Sequence, residues 1–142
     1  MNGDRGSMSI QVRYAQGEPP ISCASIAEMD AALDRLHAET ADELRTSVRD
    51  RPLQVDIEFS FGCVATGLGI DKVPVMVSVP PFDDFYCAVD DRQAAGDDTM
   101  FFGASQDSYW PPKNLLPIAV AREAVRYFVM HQRRSPNLLW QC

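Results

Sequence analysis

From Leu53 the chain alternates: Leu53, Val55, Ile57, Phe59 and Phe61 are apolar, and Gln54, Asp56, Glu58 and Ser60 between them are polar. A period of two belongs to a β-strand with one face in a core and one toward water. The chain must therefore build a sheet and cover its apolar face. Residues 64–70 and 73–79 predict a second and third strand joined by Asp71-Lys72, the latter ended by Pro80-Pro81. Residues 85–89 and 99–102 predict two more, on either side of a polar loop at 90–98. Residues 9–14 alternate Ile10, Val12 and Tyr14 with polar neighbours and read as a short strand, and residues 138–140 are long enough only for an edge. Connections this short favour an antiparallel meander, because parallel neighbours need a crossover of about a dozen residues.

The cover is helical. Ser25 and Glu28 stand at capping-box spacing, and Ile26, Met29, Leu33 and Leu36 recur at steps of three and four, predicting a helix over 25–38. Thr40 and Glu43 repeat the capping pattern, so a second segment at 41–49 follows after a kink or the helix runs on, with Pro52 closing it. Residues 116–131 predict the last helix, with Ile118, Ala121, Val125 and Phe128 on one face. The expected fold is α+β: a twisted antiparallel sheet of five or six strands with N-terminal and C-terminal helices packed on it.

At 142 residues the chain suits one core, so residues 9–142 are expected to form a single domain. Residues 1–8 are small, polar and aperiodic, and read as a tag or disordered leader. The net charge is −7, and residues 54–110 alone hold ten acidic and two basic residues. This disfavours direct binding to nucleic-acid phosphates. No apolar run is long enough for a membrane helix, and no signal-like start is present, which excludes a membrane partner on the pattern. Cys23, Cys63, Cys87 and Cys142 form no CxxC, and His37 and His131 supply no obvious zinc set, so neither metal nor cofactor is expected. Free thiols in a reducing cytoplasm are the simplest setting.

Catalysis needs converging groups, and the sequence holds no nucleophile elbow, P-loop, HExxH or deaminase HxE with CxxC. Both histidines read as structural or solvated, and Cys63 and Cys87 as small core fillers. The acids make the stronger feature: Asp83-Asp84, Asp90-Asp91 and Asp97-Asp98 do not match a calcium loop, and form either a solvated rim or an acidic face for a basic partner. Aromatics interleave with them. Alternation places one of Phe85 and Tyr86, and one of Phe101 and Phe102, in the core and leaves the other as a candidate interface anchor. The corner Tyr109-Trp110-Pro111-Pro112 reads first as packing. Charge and aromaticity give Asp83, Asp84, Tyr86, Asp90, Asp91, Asp97, Asp98 and Trp110 as the candidate partner-binding residues.

Several structural residues occur in a telling order: Leu68-Gly69 before the strand at 73–79, and Phe102-Gly103 before the Tyr109 corner. Pro117 then enters a helix bearing Ala121, Ala124 and Phe128, with Pro136 and Trp140 beyond. Over residues 53–140 this order resembles the Imm1 family of bacterial immunity proteins. The chain departs from the family pattern at Ile118-Ala119, where an acid often follows the entry proline, and at His131-Gln132, where a glycine often follows the helix. The resemblance implies an inhibitor from a bacterial polymorphic toxin system that binds and neutralises a cognate toxin, such as a nucleic-acid deaminase, and catalyses nothing. A toxin that grips a polyanion needs a basic surface, and an acidic inhibitor can steer to it and cover it. The alternative is an Imm1-like fold recruited to bind or transform a small molecule in a specialised-metabolite pathway, with a pocket between sheet and helix. The chain is expected to be a monomer or a weak homodimer, the latter through a patch at 82–86.

Overall fold

The computed structural model describes residues 9–93, 95–103 and 107–142; the leader at 1–8 lies outside them. The alternating segment forms β3 (Leu53–Phe59), turns at Ser60-Phe61, and returns as β4 (Gly62–Leu68). On β3, Leu53, Val55 and Ile57 are buried. Around this pair stand β1 (Ile10–Arg13), β2 (Ile21–Cys23), β6 (Val75–Ser78), β7 (Tyr86–Val89) and β11 (Leu139–Gln141), in the order β11-β7-β6-β4-β3-β1-β2. A hairpin of β8 (Thr99–Gly103) and β9 (Asp107–Trp110) joins the edge of β3 next to β1. Two short strands, β5 (Lys72–Val73) and β10 (Leu116–Pro117), pair separately.

The described residues thus hold a nine-stranded sheet, more than the five or six expected. The additional strands are short: β2 follows Pro19-Pro20, and β9 occupies the stretch read as a packing corner. The sheet is also not wholly antiparallel, because β8 runs parallel to β3, pairing Phe102 with Leu53. Residues 60–98 and four strands separate those partners, so the contact is non-local and no short-connection argument could reveal it.

The two helices lie on one face. Helix α1 (Ile26–Arg45) starts where Ser25 Oγ accepts from the Glu28 amide and Glu28 Oε1 accepts from the Ala24 amide. It runs on through Thr40 as one continuous helix. Thr40 is buried under Gly69, whose φ is +100°, and a Cβ on Gly69 would stand 3.0 Å from Thr40 Cβ. Packing therefore claims the residue that the capping pattern marked. Helix α2 (Ile118–His131) lacks a side-chain N-cap; its first amide, from Ile118, donates to the Asp71 carbonyl at 2.8 Å. It ends on Gln132, held at φ 61°.

Phe128 meets Phe59 edge-on, with ring centroids 5.5 Å apart, while Met29, Leu33, Val55, Ile57 and Val64 fill the layer between helices and sheet. Ion pairs tie the helices together: Arg122 Nη1 to Asp34 at 2.7 Å, and Arg126 Nε to Asp30 at 2.7 Å. Neither helix is long and apolar enough to cross a membrane.

Candidate interaction surface

Strand β7 divides the acidic run. Asp83 and Asp84 lead into it and are exposed, and the Asp84 carbonyl accepts from Ser78 Oγ at 3.1 Å. Asp90 and Asp91 follow its far end, about 13 Å on at the usual rise per residue. Asp91, Asp97 and Asp98 are exposed there. The acids thus stand at both ends of the strand.

Three candidates serve the fold. Asp90 is only 9% exposed and accepts from the Arg92 guanidinium at 3.0 Å, the Arg92 amide at 3.1 Å and Gln93 at 3.3 Å. Those bonds, the Arg92 side chain foremost, hold its carboxyl down at about 2, so its charge is spent inside the loop. Trp110 is 8% exposed and donates from Nε1 to Gln54 Oε1 at 2.9 Å. Tyr86, opposite Val77, faces the helix side half-buried, with the Arg134 guanidinium 3.8 Å from its ring centroid. Alternation does sort the aromatic pairs as expected: Phe101 is fully buried and Phe102 exposed, Tyr86 half-buried and Phe85 exposed.

The sheet's other face holds residues that charge runs did not flag. Register aligns Arg13, Asp56, Ala65, Met76, Cys87 and Gln141 in one row across five neighbouring pairs of strands, all directed away from the helices. Glu58, Cys63 and Ser78 form the next row. Phe101 and Trp110 of the hairpin sit over Gly67 and Gln54 at one end of this face, and the 80–85 segment borders it at Ser78.

Between those borders Asp56, Glu58, Met76 and Cys87 are half-buried. Arg13 Nε contacts Glu58 Oε1 at 2.9 Å, whereas no cation among the described residues pairs with Asp56. Burial first, and Glu58 second, push the Asp56 carboxyl above its ordinary range, with Arg13 opposing. Burial, then Asp56 and Glu58, push the Cys63 thiol up to about 12, and burial raises Cys87. These thiols are poor nucleophiles at neutral pH. The sequence marked Asp56 and Glu58 only as the wet side of a strand; their central place needs the strand order.

One surface groove runs between the helices. It holds about 340 Å³ and is lined by Asp34, His37, Arg122 and Arg126, and there Arg122 pairs with Asp34. His37 Nδ1 accepts from the Gly69 amide at 2.8 Å, which fixes the ring proton on Nε2. Among the described residues no group of three or more His, Cys, Asp or Glu side chains gathers to hold a metal ion.

Comparison with protein families matches residues 17–142 to the family described as Immunity protein Imm1. Comparison with curated proteins gives no match.

Proposed function

The chain belongs to the Imm1 family of immunity proteins, whose match spans residues 17–142, and from that premise we propose that it binds and neutralises a cognate toxin by covering a basic active-site surface. The family match carries this reading. The proposed target is a toxin that acts on a nucleic acid, such as a deaminase, because an enzyme that holds a polyanion must present cations around its site. Residues 54–110, with ten acidic and two basic side chains, supply the complementary sign. The exposed Asp83, Asp84, Asp91, Asp97 and Asp98 are the proposed steering charges, while Asp90, Tyr86 and Trp110 hold the frame that presents them. Residues 9–142 are proposed to act as one unit, in the cytoplasm, as a monomer or weak homodimer.

Small-molecule chemistry would need a pocket with an unpaired acid or base. In the interhelix groove Asp34 lies against Arg122 and His37 is committed to Gly69, which leaves Glu123 exposed at the rim with no second acid or base joined to it among the described residues. That arrangement supports binding over catalysis.

The test is a calorimetric titration of this protein with the toxin domain encoded beside its gene, read together with the toxin's activity. Nanomolar one-to-one binding that abolishes activity is expected. A folded, active toxin that neither binds nor loses activity would refute the proposal and turn attention to ligand screening.

A further inference from the structure

Both helices cover the same side of the sheet, and the opposite side is bordered but not covered between the β8–β9 hairpin and the 80–85 segment. We infer that this uncovered strip is where the toxin docks, a cationic side chain of that partner meeting Asp56 and Glu58 while an apolar one covers Met76. The inference deepens the immunity reading and rests on it.

Three observations converge. Asp56 lies on a broad sheet face, half-buried, opposite Arg13 but in no ion pair among the described residues, because the Arg13 guanidinium contacts Glu58 at 2.9 Å, and Glu58 adds like charge. A carboxylate so placed costs stability unless something outside the chain pairs with it. From Asp56 the row continues through the buried Ala65 to Met76 and Cys87, both half-buried, and Phe85, two residues before Cys87, is 48% exposed at the border. An apolar row beside two acids that share one arginine matches the surface of a basic protein better than water or a second copy of this acidic chain, whose like charges would meet. Finally, the strip is made of paired strands, so its side chains are fixed before the partner arrives and little order is lost on contact.

The experiment compares wild type with the isosteric double variant D56N/E58Q. Thermal unfolding of each is measured alongside titration with the toxin domain encoded beside the gene. A structural pair of acids would lose stability when neutralised. Acids kept for a partner should leave the melting temperature unchanged or raised while affinity falls about tenfold or more. Methionine oxidation gives an independent reading: toxin should protect Met76, on the strip, and leave Met130, 55% exposed on α2, open.

Wild type that binds toxin, with D56N/E58Q binding equally and protection at Met130 instead of Met76, overturns the docking surface and leaves the immunity reading standing. Wild type that fails to bind an active toxin overturns both. A wild-type dimer in sedimentation that protects Met76 without toxin overturns it in favour of self-association.

Discussion

Gly67→Ala is the smallest perturbation that tests how the β8–β9 hairpin is seated. Gly67 faces the side of the sheet away from the helices. A Cβ there would stand 3.0 Å from Phe101 Cδ2, nearer still to Cε2, and 3.0 Å from Pro74 Cδ. Carbon atoms rest at about 3.5–4.0 Å, so the ring must retreat by at least about 0.5 Å. Phe101 is fully buried, so the ring can retreat only against its packed neighbours. Overpacking of this kind costs about 1–3 kcal/mol, and relief of a strand glycine returns about 0.5–1 kcal/mol, so the variant should lose a net of about 1–2 kcal/mol. Phe101→Ala alone should cost about 3–5 kcal/mol.

The double variant decides the matter. With the ring gone, the new methyl meets only the milder Pro74 contact, so the pair should cost less than the sum of the singles by about 1–3 kcal/mol. Urea unfolding followed by tryptophan fluorescence measures all four corners of the cycle, with Trp110 on the same hairpin as reporter. Additivity within about 0.5 kcal/mol would refute the seating of Phe101 on Gly67.

Gln132→Gly should stabilise the protein by about 0.5–1 kcal/mol in the same assay, since Gln132 ends α2 at φ 61°, where glycine bears no Cβ penalty. Acid should act through Asp90: its folded carboxyl lies at about 2 against 3.8 for the free group, so its stabilising share is present above pH 4 and lost as pH falls through about 2. Asp90→Asn should flatten that limb of the stability profile, by a small amount because Arg92 is exposed to solvent. Asp56 has the opposite sign: with its carboxyl raised, its contribution is present below the unfolded value and lost as pH rises through the folded one, a decline that Asp56→Asn should remove. In alkylation at pH 8 the exposed Cys142 should react first and Cys63 last, because a thiol at about 12 is ionised in only about one molecule in ten thousand. Equal labelling of the two in the folded protein would contradict the burial described.

Local patterns were readable where one requirement acted on a residue. The β3 alternation, the Ser25/Glu28 cap and the Phe101/Phe102 split each follow from backbone period and appear in the structure as read. The pattern misled where two requirements competed. Thr40 carries a capping signature but lies under Gly69, where burial prevails. The parallel β3–β8 pair and the three-residue β2 depend on tertiary pairing that no local window contains.

The candidate surface divides in the same way. Asp83, Asp84, Asp91, Asp97 and Asp98 are exposed, as expected of a charged loop. Asp90 and Trp110 look equivalent to them in a list of charges and aromatics, yet Arg92 and Gln54 draw them inward. Asp56 and Glu58 show the converse, since a polar residue on a strand reads as solvated until the sheet around it is known.

The sidedness of β3 also bears on inheritance. Its seven residues alternate between a set that meets the helices and a set that meets the outside, and adjacent positions answer to different demands. Val55 and Ile57 are buried on the face opposite Asp56 and Glu58, so a change at either acid should leave their packing as it is. A lineage built this way can follow a changing adversary one residue at a time, rewriting its outward half without reopening the question of how it folds.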